Sequence, residues 1–405
     1  MTPPPPSASG ELLRVSAWPN PQQLTTQPAF GIYVHVPFCS SRCGYCDFNT
    51  YTATELGDAV SRDTFDEVLG AEVRFAARAL GDSVRRVDTV FVGGGTPTLL
   101  GSSGLSRVLD VIRAEFGLAP DAEVTTEANP DSVDERMLDD LRAAGFTRMS
   151  FGMQSTSQAV LRVLDRTHTP GASLAMARAA AEAGFEHVNL DLIYGTPGEA
   201  DDDVRRSVTE AVGAGVDHVS AYALIVEDGT PLARRVRHGD LPAPDDDVMA
   251  DRYAIVDSLL SDAGMTWYEV SNWSRPGGEC HHNLGYWHDD DWWGIGPGAH
   301  SHVGGTRWWN AKHPKTYAEH VLAGRSPEVD REVLTEDQRR MEHVMLGLRL
   351  AEGLPLDAIS PIASVRVDEL VARGLLDPRA RGRGRLVLTE QGRLLADAVI
   401  RDLVD

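Results

Sequence analysis

The chain has 405 residues, enough for one large α/β domain and a smaller one, and 42% of them are apolar, so a sizeable core can form. Its 38 lysines and arginines stand against 60 aspartates and glutamates, and a formal charge of −22 argues against wrapping a nucleic-acid backbone. Four cysteines, three of them within eight residues, do not make the spread-out framework of a secreted disulfide scaffold. The N-terminus, Met1 to Gly10, lacks the apolar centre of a signal peptide, and no run of eighteen apolar residues occurs. The expectation is a soluble protein in the reducing cytoplasm. Part of the negative charge lies in three runs, Asp201–Asp203, Asp245–Asp247 and Asp289–Asp291, which read as solvated faces or helix N-termini.

Residues 1–30, rich in proline, serine and threonine, read as a flexible arm. From 31 to 265, short β-branched or aromatic runs alternate with amphipathic stretches. The expected strands are Ile32–Val36, Thr89–Val92, Glu123–Glu127, Met149–Gly152, His187–Ile193 and His218–Leu224. The expected helices are Thr64–Leu80, Leu105–Phe116, Val133–Ala144, Leu174–Ala183, Val204–Ala214 and Val248–Ala263. This alternation predicts a parallel sheet with right-handed crossovers, either doubly wound or curled into a partial barrel. In both, a ligand lies at the carboxyl ends of the strands. Polar punctuation falls at those ends: Cys39, then Gly93-Gly94-Gly95-Thr96, Glu127, Gln154 and Asp191.

Residues 266–330 break the pattern, and seven of the eight tryptophans lie between Trp267 and Trp309. Residues 331–405 read as a small helical domain. Its helices are expected at Glu336–Leu350, Leu356–Ile359 and Val367–Ala372, with Gly384–Leu388 and Thr389–Gly392 forming a wing. It resembles a winged helix. It is locally basic through Arg366, Arg373, Arg379, Arg381, Arg383, Arg385 and Arg393, but the acidic remainder favours scaffolding over DNA binding.

The first strand runs into Cys39-Ser-Ser-Arg-Cys43-Gly-Tyr-Cys46-Asp-Phe48. Three thiolates in one tight loop can ligate three irons of a cubane and leave the fourth iron open. That iron can chelate the amino and carboxylate groups of S-adenosylmethionine (SAM), whose sulfonium an electron from the cluster can cleave. The competing reading is a structural zinc site. Zinc wants four closed ligands, and only distant Cys280, His35 or Asp47 could complete the set.

The CxxxCxxC motif resembles that of radical SAM proteins. Its flanks are similar to the branch of oxygen-independent coproporphyrinogen III oxidases and HemW-type heme chaperones, over roughly residues 31–400. The resemblance implies a partial (β/α)6 TIM-like barrel. It implies that Cys39, Cys43 and Cys46 hold a [4Fe–4S] cluster. Around SAM it implies Tyr33, Tyr45, Gly94, Gly95, Thr96, Glu127, Gln154, Arg166 and Asp191. Two details favour the chaperones. The oxidases resemble CxxxCxxCxC, whereas Phe48 stands at the position of the further cysteine. His282-Asn-Leu-Gly-Tyr286-Trp287 matches an HNxxYW motif linked to heme in the chaperone branch, with His282 as the implied ligand and Cys280 or His281 as alternatives. The resemblance thus implies heme as cargo and a heme-acceptor protein as partner, a respiratory one at the inner face of the membrane. The rival is a coproporphyrinogen III dehydrogenase. Gly294–His300 matches a further signature and reads as a loop closing the bottom of the SAM pocket. His300 and His302 are then second heme contacts.

Overall fold

The computed structural model describes residues 28–56 and 60–404, so the expected arm at 1–30 lies almost wholly outside the described residues. All six expected strands form: β1 (Phe30–Val36), β2 (Val87–Gly94), β3 (Leu118–Ala128), β4 (Arg148–Gln154), β5 (His187–Tyr194) and β6 (His218–Ala223). Each pairs in parallel with the next. A doubly wound sheet reverses its strand order at a switch point; this one does not. It is a partial (β/α)6 barrel. The six expected helices flank it as α1 (Phe65–Leu80), α2 (Gly101–Glu115), α3 (Glu135–Ala144), α4 (Ala172–Glu182), α5 (Asp201–Gly213) and α6 (Asp246–Asp262).

Two of the acidic runs sit at helix N-termini. Asp201–Asp203 form the first turn of α5, and Asp245 caps α6 by accepting from the Val248 amide. The third differs. Asp291 is buried in an ion pair with Arg85 and accepts from the Gly304 amide at 2.8 Å.

Side chains alternate along each strand. One set faces the helices and is apolar: Val90 and Val92, Met149 and Phe151, Leu190 and Leu192. The other faces the barrel interior and is mostly polar: Thr89, Glu123, Thr125, Glu127, Arg148, Ser150, Asn189, Asp191, His218 and Ser220. TIM barrels usually fill this space with branched apolar residues. Here the interior remains partly open and hydrogen-bonded.

Residues 266–330 carry strands that the alternation did not announce. Beyond β6 lie β7 (Thr266–Glu269) and β8 (Asn272–Ser274), antiparallel. Beside β1 lies β9 (Asp291–Ile295), parallel to it, followed by the antiparallel β10 (His300–Val303), β11 (Thr306–Asn310) and β12 (Glu328–Val333). The tryptophans here are packing residues. Trp273 is fully buried and donates to Asp257 at 2.7 Å, and Trp293 meets Trp308 edge-on at 4.9 Å.

The C-terminal unit has its own core, including Val344, Leu348, Leu370, Leu376 and Val399. Between β8 and β9 lies α7 (His281–Trp287), and the helices of the C-terminal unit include α8 (Glu336–Gly347), α9 (Ser364–Ala372) and α10 (Ala396–Val404). In the expected wing, Gly384–Leu388 is one arm of an antiparallel pairing whose other arm is at Leu376, with Leu388 bridged to Leu376 and the Asp377 amide donating to the Val387 carbonyl at 2.8 Å. Arg385–Leu386 pairs with Leu354–Pro355, while Thr389 caps a helix by accepting from the Gly392 amide at 3.0 Å. A serine- or threonine-type cap before a glutamate starts a helix more readily than a turn. Arg393 docks this unit, lying over the Trp267 ring and pairing with Asp257. Among the described residues, no helix is long and apolar enough to cross a membrane.

The floor of the barrel is closed by α7 (His281–Trp287). Glu123 accepts from the His281 and His282 amides at 3.1 and 3.0 Å, so its carboxylate caps the helix. Arg148 pairs with Glu123 at 3.1 Å and donates to the Gly278 and Glu279 carbonyls at 2.8 Å each. Burial alone would raise the Glu123 pKa, but Arg148 and the two amides outweigh it and hold the carboxyl below its usual range. Glu123→Ala leaves a buried, unpaired guanidinium. The expected cost is about 3–5 kcal/mol, measured by denaturant unfolding of the ligand-free chain; a loss under about 1 kcal/mol, the range of an exposed pair, would refute this account of the floor.

Candidate functional site

The carboxyl ends of the strands open into a cavity of about 430 Å³. Eleven of the expected residues line it together: Cys39, Cys43, Cys46, Tyr45, Gly94, Gly95, Thr96, Glu127, Gln154, Arg166 and Asp191. Tyr33 sits one layer lower. It lines a second cavity of about 130 Å³ that reaches down to His282 and shares Glu127, Ser150, Asp191 and Tyr222 with the first. Sequence reading missed Tyr222, Ser150, Asn189 and Ser220. The period-2 alternation on β4, β5 and β6 could have found them, since each lies two residues from an inward polar position.

The cysteine loop is held at several points. Phe38–Cys39 pairs with Tyr51–Thr52. The Gly44 amide donates to the Leu164 carbonyl at 2.9 Å, and the Leu232 amide donates to the Gly44 carbonyl at 2.8 Å. The glycine turn after β2 presses on it from the side. Gly95 and Thr96 donate their amides to Val36 and Phe38 at 2.8 and 2.7 Å. A Cβ on Gly95 would come within 2.4 Å of the Phe38 carbonyl oxygen, so the close approach requires glycine.

All three loop cysteines are free thiols. Burial raises the pKa of Cys39, with the Thr50 and Thr96 hydroxyls opposing it, and pushes Cys46 up to about 11. Arg166 donates to the Cys43 sulfur at 3.5 Å. Among the described residues, no three histidine, cysteine or carboxylate side chains converge on one point, as ligands of a single ion would. A closed zinc site needs four donors roughly 2.0–2.3 Å from the metal. A cubane spreads its thiolates over separate irons, which suits this loop better.

Opposite the loop, Gln154 ends β4 at φ +59, where the register with β5 shifts. Positive φ in a non-glycine residue marks a strained position of the kind found at functional sites. The Gln154 Oε1 atom is buried without a hydrogen-bond partner. Such an orphan acceptor at the cavity wall fits a polar ligand better than bare protein. Arg166 donates to the Gly152 carbonyl at 3.1 Å and to His168 Nδ1 at 3.1 Å, which fixes its fork against the same wall.

Two carboxyls face the shared part of the cavities. Burial, then the charge of Asp191, pushes Glu127 up to about 8, while the Gly94 amide opposes this from 3.1 Å. Burial also raises Asp191, with Asn189, Ser220, Ser150 and Arg166 opposing. The pair is poised to receive a cationic ligand, whose charge would favour both ionised forms.

His282 lies at the lower end. Its Nδ1 is 2.8 Å from the Thr89 hydroxyl and its Nε2 is 2.9 Å from the Tyr286 hydroxyl. Its ring stacks on Phe91, and burial lowers its pKa to about 4. Both ring nitrogens are engaged, so iron coordination by His282 requires breaking one of these bonds. Cys280 is also buried, whereas His281 is exposed. Of the two outlying histidines, His302 is buried and His300 is exposed. The Gly294–His300 segment does not close the bottom of the pocket. Ile295 pairs with Val34 near the carboxyl end of β1, so the loop that follows lies at the cysteine end of the barrel. Parallel pairing of β9 with β1, invisible to periodicity, dictates this.

Glu127 binds a proton in the folded chain and releases it in the unfolded chain between about pH 4.5 and about pH 8. Stability of the ligand-free protein therefore falls as pH rises through that window. Glu127→Gln is expected to raise the thermal midpoint more at pH 8 than at pH 5. Equal shifts at the two pH values would show that Glu127 does not titrate in this range.

Residues 33–211 match the family model described as the radical SAM superfamily. The chain is 58% identical over 376 residues to the heme chaperone HemW of Mycobacterium tuberculosis strain H37Rv, covering 93% of this chain and 95% of that one. It is 33% identical to the heme chaperone HemW of Escherichia coli, over 92% of this chain and 97% of that protein. In three dimensions it is similar to the coproporphyrinogen III oxidase HemN of Escherichia coli, a radical SAM enzyme, with a TM-score of 0.78, 25% identity and coverage of 93% and 90%. The chain belongs to the HemW family of the radical SAM superfamily, which implies a [4Fe–4S] cluster and SAM as its cofactors.

Proposed function

We propose that this chain is a heme chaperone that binds heme, a [4Fe–4S] cluster and SAM, and passes heme to an acceptor protein. The observation that carries the reading is the match of nearly the whole chain to proteins named heme chaperone. Phe48 supports it, standing 60% exposed at the cavity rim where the resemblance gives the oxidases a cysteine.

In this reading Cys39, Cys43 and Cys46 hold the cluster. Glu127, Gln154, Arg166 and Asp191, with Tyr45 and the turn at Gly94–Thr96, surround SAM. The bound cluster and SAM supply one-electron chemistry. The protein's part is to exclude water, orient the ligand through Arg166 and Gln154, and balance its positive charge with Glu127 and Asp191. Tyr33 closes the pocket from below.

Heme belongs outside the barrel. The lower cavity, at about 130 Å³, is smaller than the roughly 300–1,000 Å³ of ordinary ligand sites, and a macrocycle does not fit there. At the chaperone motif, exposed His281 offers an imidazole to iron without rearrangement, while His282 holds the segment through Thr89 and Tyr286. The acceptor is a protein partner, since a formal charge of −22 argues against nucleic acid in that role. The free thiols suit the reducing cytoplasm.

Hemin titration of the anaerobically reconstituted protein tests this. A stable Soret band is expected, and His281→Ala is expected to weaken hemin binding about tenfold or more. A band unchanged in both His281→Ala and His282→Ala would remove heme from this segment. Conversion of coproporphyrinogen III to protoporphyrinogen IX in the presence of SAM and a reductant would overturn the chaperone reading itself.

A further inference from the structure

Outside the lining of the SAM cavity lies a fully buried carboxylate that touches none of the three loop cysteines. Glu72 projects from α1 and is 0% exposed. It accepts from the Gly296 amide at 2.7 Å, from Asn310 Nδ2 at 2.8 Å and from the Tyr317 hydroxyl. Its hydrogen-bond donors are thus three neutral groups from three separate segments. Burial raises its pKa to about 7, against the opposing hydrogen bonds of Tyr317, Gly296 and Asn310. A buried carboxyl without a cationic partner is costly, and its place here calls for a reason.

The reason lies one contact further on. Gly296 belongs to the Gly294–His300 signature. Asn310, bound to Glu72, also donates to the Gly296 carbonyl at 2.9 Å, so both the amide and the carbonyl of Gly296 are pinned. Gly296 is at φ +108, and a Cβ there would lie 2.4 Å from the His35 carbonyl oxygen. The next two residues grip Asn49, three positions after Cys46. Asn49 Nδ2 donates to the Pro297 carbonyl at 2.9 Å and to the Lys312 carbonyl at 2.8 Å. A Cβ on Gly298 would come within 2.8 Å of that same nitrogen. His35 Nε2 meets the Asn49 carbonyl oxygen at 2.9 Å. One end of the cysteine loop, at His35, and the other, at Asn49, are therefore both clamped by a strap whose anchor is Glu72.

We propose that Glu72 is a positioning residue for the iron–sulfur cluster, acting through the Gly296–Gly298 strap and Asn49 on the loop that carries Cys39, Cys43 and Cys46. The carboxylate is suited to this because both of its oxygens only accept, and every partner offered to it can donate. Glutamine would turn an amide donor toward donors. The strap explains why a glycine-rich signature far along the chain accompanies a cysteine motif near its start: only a side-chain-free backbone can lie this close to His35 and Asn49.

The test uses the full chain, reconstituted anaerobically with iron and sulfide. The readouts are iron and sulfide per chain, the rate of iron loss to a chelator, and the cluster's electron paramagnetic resonance signal after reduction. Glu72→Gln and Asn49→Ala are each expected to speed iron loss about tenfold or more, the usual range for residues that orient metal ligands. The double variant is expected to lose iron no faster than the worse single variant, because both act on one strap. Arg393→Ala, which loosens the docking of the C-terminal unit far from the loop, controls for general destabilisation. If Glu72→Gln lowers the thermal midpoint of the ligand-free chain yet loses iron at the rate of Arg393→Ala, its role is only structural and the proposal fails. Multiplicative effects in the double variant would also overturn it. Tyr317→Phe removes one donor while keeping the carboxylate. It gives a milder version of the test should Glu72→Gln not fold, and unchanged iron retention in it, with Asn49→Ala also silent, sinks the idea.

Discussion

A barrel whose inner wall is polar must find partners for every group it hides from water. A buried polar group left unpaired costs about 1–3 kcal/mol, and a buried charge more. That constraint organises this molecule from floor to mouth. At the floor, Glu123 and Arg148 answer each other and also take the amides and carbonyls of the segment around α7. In the middle layer, Asn189 donates to Ser150 and Asp191 and accepts from His218 and Ser220. At the mouth Arg166 is paired but its neighbours are less so. Gln154 keeps an unpartnered oxygen, and Glu127 keeps one amide as its partner.

That gradient says where ligand belongs. The lower interior is mostly paired within the protein, Thr125 Oγ1 and one Arg148 nitrogen excepted, and His282 is part of that pairing. The upper interior is left for a ligand to complete, and it faces three free thiols across the cavity. The same chain thus builds a closed polar base that holds its shape and an open polar rim that waits for charge. Glu127 and Asp191 carry the electrostatic side of this division, since burial holds both toward the protonated form and a positive ligand would favour their ionisation.

The cysteine loop is rigid because it is gripped from several sides. The glycine turn after β2 presses on Cys39, the turn at Leu164 and the Leu232 amide hold Gly44, and the strap at Gly296–Gly298 holds Asn49. Each grip uses backbone approach that a side chain would block. Glycine is therefore concentrated around the loop for steric reasons as much as for access to ligand.

The six parallel strands, their helices and the cysteine loop were legible in the sequence because each rests on local pattern: period-2 or 3.6 alternation and a short spacing of thiols. Phe48 was legible for the same reason, being two residues from Cys46. The strands at 266–330 were not. They are short, two of them pair across long sequence gaps (β8 with β6 and β9 with β1), and their tryptophans carry no periodicity. The turn expected at Thr389–Gly392 gave way to a helix capped by Thr389. What the sequence determined by itself was the kind of chemistry, since three thiols in eight residues constrain their own ligand locally. Tertiary structure alone decided that Tyr33 lies below the SAM cavity, that His282 has both nitrogens bound, and that Gly296 meets His35. Those facts depend on β9 lying parallel to β1 and α7 folding under the barrel, contacts between residues 158 or more positions apart that no local pattern encodes.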